Sequence, residues 1–117
     1  AERLRRGEMI TIYGDGEQTR DFIHVADVAA VNERAALGPD PGGEPINVAS
    51  GVETSVLAVI AAMRAILRVD AAVTFTEERA GDVRRSWADI TRLRERLGYI
   101  PRIGLEAGLR ELLGVGG

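Results

Sequence analysis

The segment from residue 56 to 68 most limits the folds open to this chain, because nearly every side chain in it is apolar. Its larger apolar residues recur at the i, i+3, i+4 and i+7 spacing of a helix, and alanines fill most positions between them. Thr54 or Ser55 can cap this helix, and Arg64 and Arg68 are its only polar residues. A helix so apolar is expected to pack firmly on a sheet and not to lie on the surface.

The segments on either side alternate between strand-like and helix-like patterns. Asp27 is predicted to cap the first helix and Gly104 the last. The predicted order is strand, turn, strand, helix, strand, helix, strand, charged loop and two helices. Their residue ranges, in the same order, are 9–13, 14–16, 22–25, 28–37, 45–49, 56–68, 72–76, 77–86, 91–97 and 105–113. This alternation predicts the α/β class. With 117 residues, the chain forms one predicted domain, residues 1–117.

Composition narrows the function classes. The net charge is −3 and no basic stripe is interleaved with aromatic residues, so no nucleic-acid partner is expected. All 15 basic residues are arginines, which excludes Schiff-base catalysis, a P-loop lysine and a Tyr–Lys proton-transfer pair within this chain. The chain has no cysteine and a single histidine, so no metal site is predicted. No apolar run approaches 18 residues, and we expect a cytoplasmic protein without membrane contact.

The turn Gly14-Asp15-Gly16 separates two apolar runs and predicts a strand, a tight turn and a second extended run. Arg20 follows the turn, where its planar fork of donors suits a phosphate, although a solvated surface arginine fits the same pattern. The third glycine of a dinucleotide-binding loop is missing, and an extended run follows instead of a helix. His24 is predicted to be a structural group in the second run.

Arg79-Ala-Gly-Asp82 is a second candidate binding loop. Gly81 allows a close backbone turn, Arg79 can hold a phosphate with two donors, and Asp82 can accept from sugar hydroxyls. Pairing of the arginine with the aspartate inside a solvated loop explains the same four residues. Two arginine-bearing loops together favour an anionic small molecule. No spacing marks a nucleophile or an acid–base pair, so no catalytic residue is predicted.

The same motifs resemble the second half of a known family. Residues 10–28, 46–56, 79–89, 97–101 and 105–109 are similar, in order, to NAD-dependent sugar-nucleotide epimerases and dehydratases, which are extended short-chain dehydrogenases such as UDP-glucose 4-epimerase. The resemblance implies the C-terminal substrate-binding part of a Rossmann-type fold, with the N-terminal NAD-binding half absent.

The resemblance also implies roles for individual residues. Arg20 and Arg79 would hold a nucleotide diphosphate, and Asp82 would bond a ribose hydroxyl. Thr11, Ile12 and Tyr13 would lie against the base. Asn47 would be a further ligand contact, and Ser86 would border the space beside the sugar.

The family's glycine loop and catalytic Tyr-x-x-x-Lys lie upstream of the matched region. The resemblance therefore implies that NAD serves the full-length parent and that this chain alone binds none. The expected function is the UDP-hexose-binding portion of a 4-epimerase. A portion of a nucleotide-sugar 4,6-dehydratase and a non-catalytic truncated binding or interaction module remain the alternatives. The partner would be a nucleotide sugar, and exposed apolar edges predict self-association.

Overall fold

Five helices and four short strands form the part of the chain described by the computed structural model, residues 1–116. In chain order they are α1 Glu2–Arg5, β1 Ile10–Tyr13, β2 Thr19–Asp21, α2 Val25–Leu37, β3 Glu53–Ser55, α3 Val56–Leu67, β4 Val73–Thr76, α4 Thr91–Leu97 and α5 Leu105–Leu113. The predicted α/β class is correct. No helix within residues 1–116 is both long enough and apolar enough to cross a membrane.

The strands form two separate pairs. β1 lies parallel to β4, with Ile10 opposite Val73 and Tyr13 opposite Thr76. β2 lies antiparallel to β3, with Thr19 opposite Ser55. The predicted order of strand, turn and strand is correct, but the second strand is Thr19–Asp21 and not residues 22–25. The two strands do not pair with each other, because the turn after β1 leads into a strand of the other pair.

The contacts of the turn with α3 explain this path. Gly16 O accepts from Leu57 N at 3.1 Å, and Gln18 O accepts from Val56 N at 3.0 Å. Gly16 has φ +78°, and a Cβ added there would lie 2.6 Å from Leu57 Cγ. The turn therefore closes against the first turn of α3 and directs the chain away from β1.

Local polar contacts moved several predicted boundaries. His24, predicted in an extended run, is the N-cap of α2, and its Nδ1 accepts from Ala26 N at 3.1 Å. Asp27, the predicted cap, is instead buried within the first turn. The strand predicted at residues 45–49 is not formed, whereas Glu53–Ser55 pairs with β2. The predicted caps Ser55 of α3 and Gly104 of α5 are confirmed.

The core consists of two clusters. One joins Val31 of α2 to Leu93 and Leu97 of α4 and to Tyr99. The other joins the C-terminal part of α3 to α5 through Ile66, Leu109 and Leu113. Helix α3 was expected to pack firmly on a sheet, but Ile66 is its only buried residue and its main helical partners are α5 and α1.

Candidate functional site

A cleft of about 420 Å³ opens beside the C-terminal half of β1, between the start of α3 and the loop after β4. Five of the eight predicted site residues line it. The complete lining is Thr11, Ile12, Tyr13, Gln18, Val56, Ile60, Arg79, Ala80, Gly81 and Asp82. The fold thus brings residues from the two predicted binding loops to one place.

One edge of β1 keeps backbone groups free of β4. Ile10 N donates to Ala72 O at 2.9 Å and Gly14 N donates to Thr76 O at 3.0 Å, so the even-numbered residues face β4. In a parallel ladder the intervening residues direct their N–H and C=O groups to the other side. Thr11 O and Tyr13 N therefore offer one acceptor and one donor along this edge, a pattern that suits the polar edge of a nucleobase.

Ile12 has a different place from its neighbours. Its side chain is buried, with 3% of its surface exposed, and its backbone lies on the β4 side of the strand. Ile12 anchors the strand and shapes the cleft floor, while Thr11 and Tyr13 carry the available polar groups.

Arg79 stacks on Tyr13. The guanidinium carbon lies 3.8 Å from the ring centroid, and both side chains are exposed. Within residues 1–116 the guanidinium of Arg79 makes no hydrogen bond and no salt bridge. Because stacking uses the face of the guanidinium, its N–H groups stay available to an anion in the plane of the group.

Arg20 forms an ion pair with Asp82 and is therefore not a solvated surface arginine. Its Nη2 donates to Asp82 Oδ1 at 2.5 Å, and its Nη1 donates to the carbonyls of Thr19 and Val83 at 2.6 Å each. Neither sequence alternative described this arrangement, since Asp82 pairs across the fold and not with Arg79. Of the five guanidinium N–H groups, Nε–H and one on Nη2 have no protein acceptor within residues 1–116.

Two further arginines bind the loop to the turn after β1 and to β3. Arg84 donates to both carboxylate oxygens of Asp15 at 2.7 and 2.9 Å. Arg85 donates to both oxygens of Glu53 at 2.7 and 2.8 Å, and Thr19 Oγ1 lies 2.5 Å from Glu53 Oε1. The sequence analysis predicted neither pair. A run of charged residues shows which side chains are able to form ion pairs, but it does not show which of them lie close together in the fold.

These contacts hold the acceptors in their ionised form. The Arg85 hydrogen bonds, followed by the one from Thr19, lower the pKa of Glu53 to about 2. The Arg84 hydrogen bonds are the main reason that the pKa of Asp15 lies below its ordinary value. The loop therefore stays attached by charge-assisted hydrogen bonds at neutral pH.

Asp21, the last residue of β2, joins three segments of the chain. Its carboxylate accepts from Ser50 N and Ser50 Oγ at 2.7 and 2.5 Å, from Gly51 N at 2.9 Å and from Ala88 N at 3.4 Å. Burial alone would raise its pKa, but these donors outweigh burial and the pKa of Asp21 falls below its ordinary value. The sequence offered no signal for this junction, since its donors lie 29 to 67 residues away.

The remaining two predicted site residues lie outside the cleft lining. Asn47 Nδ2 donates to Asp89 O at 3.3 Å. Ser86 is exposed, and its backbone N donates to Thr19 O at 3.2 Å. The structure thus groups Thr11, Ile12, Tyr13, Arg79 and Asp82 around one cleft, attaches Arg20 through Asp82, and separates Asn47 and Ser86 from them.

The glycine turn does not fit NAD. Gly16 packs against Leu57 with no room for even a Cβ, and β2 follows the turn where a dinucleotide fold has a helix. Residues 1–116 also contain no cluster of three or more metal-ligating side chains.

Comparisons with known proteins show which family the chain belongs to. A family model described as GDP-mannose 4,6 dehydratase matches residues 1–112. The UDP-glucose 4-epimerase of Mycolicibacterium smegmatis is 40% identical over 109 residues, which are 93% of this chain and 34% of that protein.

Two solved structures have the same fold over most of the chain. The UDP-glucose 4-epimerase of Thermotoga maritima, crystallised with UDP-glucose, aligns with a TM-score of 0.86 at 38% identity, over 93% of this chain and 35% of that one. The UDP-glucuronic acid 4-epimerase of Bacillus cereus, in complex with UDP-glucuronic acid and NAD, aligns with a TM-score of 0.86 at 30% identity, over the same shares.

The fold is therefore part of a Rossmann-type α/β architecture. The chain belongs to the family of NAD-dependent sugar-nucleotide epimerases and dehydratases, the extended short-chain dehydrogenases. It spans about a third of the length of the relatives that it matches.

Proposed function

We propose that the cleft binds the nucleotide diphosphate part of a UDP-sugar. The observation that carries this proposal is the convergence of the Arg79–Tyr13 stack and the Arg20–Asp82 pair beside the free edge of β1. The two arginines would bind the diphosphate, Asp82 the ribose, and the free edge of β1 the base. The combination matches the chemistry of a nucleotide, which joins a flat polar base, a ribose and an anion.

Arg79 and Arg20 are the proposed diphosphate contacts. Arg79 offers an in-plane fork whose position is fixed by Tyr13, and Arg20 offers the donors left over from its contacts with the loop. Asp82 Oδ1 is bonded to Arg20, and within residues 1–116 no protein donor bonds its Oδ2. That oxygen is the proposed acceptor for a ribose hydroxyl, and the Arg20 charge keeps the carboxylate close to the phosphate subsite.

The base would lie against β1. Thr11 O and Tyr13 N are the proposed acceptor and donor for its polar edge, and Ile12 holds the strand in place from the buried side. A strand edge recognises a base by backbone groups, so side-chain changes at Thr11 are expected to matter less than changes at the two arginines.

Titration calorimetry with UDP-glucose tests this proposal. Arg79→Ala is expected to weaken binding about tenfold or more, because each charge-assisted contact contributes roughly 1.5–3 kcal/mol. Arg20→Ala should weaken it as well, by removing a phosphate contact and releasing Asp82. Arg110→Ala is the matched control, since it removes an exposed arginine–glutamate pair on α5 away from the cleft. Unchanged affinity in both cleft variants would contradict the assignment.

For the whole protein we propose a UDP-hexose 4-epimerase that uses NAD. The support is the epimerase activity for which the similar proteins are named, while the matching family model, described as GDP-mannose 4,6 dehydratase, favours a 4,6-dehydratase as the second candidate. Because the glycine turn does not fit NAD, the cofactor would be held by residues outside this chain. Assay of the longer protein with UDP-glucose separates the two, since an epimerase returns UDP-galactose and a dehydratase a 4-keto-6-deoxy sugar.

Ser86 is proposed to border the sugar in the longer protein, and Asn47 is proposed as a further ligand contact. A small Ser86 would leave room for an N-acetyl group. Ser86→Tyr in the longer enzyme should lower turnover of a UDP-N-acetylhexosamine relative to UDP-glucose, and equal turnover of both would exclude this role.

A further inference from the structure

Gln18 lies in the cleft wall next to the last residue of β1. Its side-chain Nε2 donates to Tyr13 O at 2.9 Å. A carbonyl oxygen can only accept, so the Gln18 atom at this distance must be the amide nitrogen and not the oxygen. The side chain therefore holds the peptide group that follows Tyr13 from the cleft side.

The backbone of Gln18 is fixed independently of that contact. Gln18 O accepts from Val56 N at 3.0 Å, at the first residue of α3. On the far side of the same peptide group, Gly14 N donates to Thr76 O at 3.0 Å. The peptide between Tyr13 and Gly14 is thus held between β4 and a side chain that is itself anchored on α3.

We propose that Gln18 is a positioning residue for nucleobase recognition, a role that rests on the nucleotide-binding function proposed above. By fixing the peptide after Tyr13, Gln18 sets the direction in which the free N–H of Tyr13 and the free C=O of Thr11 face the cleft. The diphosphate contacts come from Arg79 and Arg20, neither of which bonds Gln18. Gln18 should therefore affect the base-bearing part of the ligand and leave recognition of the bare diphosphate unchanged.

Gln18→Glu tests the inference, because it keeps the length of the side chain and replaces the donor with an acceptor. The probes are UDP and inorganic pyrophosphate, titrated against the full chain. The expected result is about tenfold weaker UDP binding at pH 7.5 and unchanged pyrophosphate binding. The loss corresponds to one hydrogen bond that is replaced by repulsion between the carboxylate introduced by Gln18→Glu and the carbonyl oxygen of Tyr13. Affinity for UDP relative to wild type should recover as the pH falls and the introduced carboxyl gains a proton that it can donate.

Gln18→Met is the second variant, since it fills the same space without a donor. It should lose UDP affinity at every pH, and without ligand the carbonyl ¹³C resonance of Tyr13 should shift because its hydrogen bond is gone. An unchanged resonance, or equal losses of UDP and pyrophosphate binding, would overturn the positioning role. If wild type binds UDP and both variants bind it equally well, this inference fails and the proposed function stands. If wild type does not bind UDP, both fail.

Discussion

Arg20 Nη2 donates to Asp82 Oδ1 at 2.5 Å across 62 residues of chain. The pair joins β2 to the loop after β4, and the same guanidinium also holds the carbonyl of Val83. Two side chains that we assign to different parts of one ligand are therefore linked before the ligand arrives. Such a link reduces the conformational freedom that binding would otherwise remove.

The Arg20–Asp82 pair should contribute to stability as a coupled unit. Arg20→Ala, Asp82→Ala and the double variant form a cycle that isolates their interaction. Both side chains are no more than a third exposed, at 33% and 25%, so screening by water is partial and a coupling of about 1 kcal/mol is expected. Urea unfolding at low ionic strength measures it, and additive effects of the two single changes would show that the pair has no role in stability.

The loop after β4 should loosen in acid through Glu53. Its folded-state pKa is about 2, below its ordinary value of 4.5, so its ionised contacts with Arg85 and Thr19 stabilise the fold above about pH 4.5. This contribution is lost progressively as the pH falls from 4.5 toward 2. Stability curves of wild type and Glu53→Gln should therefore converge in that window. Curves that stay parallel down to pH 2 would contradict the assignment.

Tyr99 should stabilise the fold through the buried carboxylate of Asp27. Its hydroxyl donates to Asp27 Oδ1 at 2.7 Å, and Arg102 N and Ile103 N donate to the same carboxylate at 2.9 and 3.0 Å. Tyr99→Phe is expected to cost about 1.5 kcal/mol, since it removes one hydrogen bond to a charged group. Thermal unfolding measures the loss, and Tyr13→Phe, with an exposed ring, is the control.

The same variant should change the acid sensitivity of the fold. Burial would raise the pKa of Asp27, but its three donors outweigh burial and lower it. A lowered pKa stabilises the fold above the unfolded value, near 3.8, and that contribution disappears as the pH falls below it. Without the Tyr99 donor the pKa of Asp27 should rise, so acid unfolding of Tyr99→Phe should begin at a higher pH than in wild type. Identical acid transitions would exclude this coupling.

Gly16 should not tolerate a side chain. It has φ +78°, and an added Cβ would meet Leu57 Cγ at 2.6 Å, so both the backbone and the packing oppose alanine. Gly16→Ala is expected to destabilise the fold by about 2 kcal/mol. Gly43→Ala is the matched control, because φ is also positive (+69°) but an added Cβ meets no atom within 4 Å. Equal unfolding temperatures for the two variants would show that the Leu57 contact is unimportant.

The chain should associate with itself in solution. Its extents are 49 × 38 × 15 Å and its radius of gyration is 16.8 Å, compared with about 13 Å for a compact domain of this length. Phe75 on β4 and Val25 at the start of α2 are 54% and 75% exposed. Light scattering over a range of concentrations should show a mass that rises above 12.6 kDa, the mass of one chain. A mass that stays monomeric, with one cooperative unfolding transition, would contradict this expectation.

Short-range patterns predicted the elements whose signal lies within one turn or one helix. The helix predicted at residues 56–68 is α3, which ends one residue earlier at Leu67, and the Ser55 cap and the stop at Gly98 also agree with the structure. The strand predicted at residues 45–49 failed because apolar side chains there fill the α2–α4 cluster through Ile46 and Val48 without a partner strand. Apolar character predicts burial, but strand formation also needs a neighbouring backbone to pair with.

The sequence by itself determined the class of the fold, the absence of lysine chemistry, and the two arginine-bearing loops that suit an anionic ligand. Only the tertiary structure decided that β1 pairs with β4, that Asp82 pairs with Arg20 and that Arg79 stacks on Tyr13. The physical reason is that periodicity and turn chemistry act over a few residues. A hydrogen bond or an ion pair between distant residues depends on distances that exist only once the chain has closed on itself.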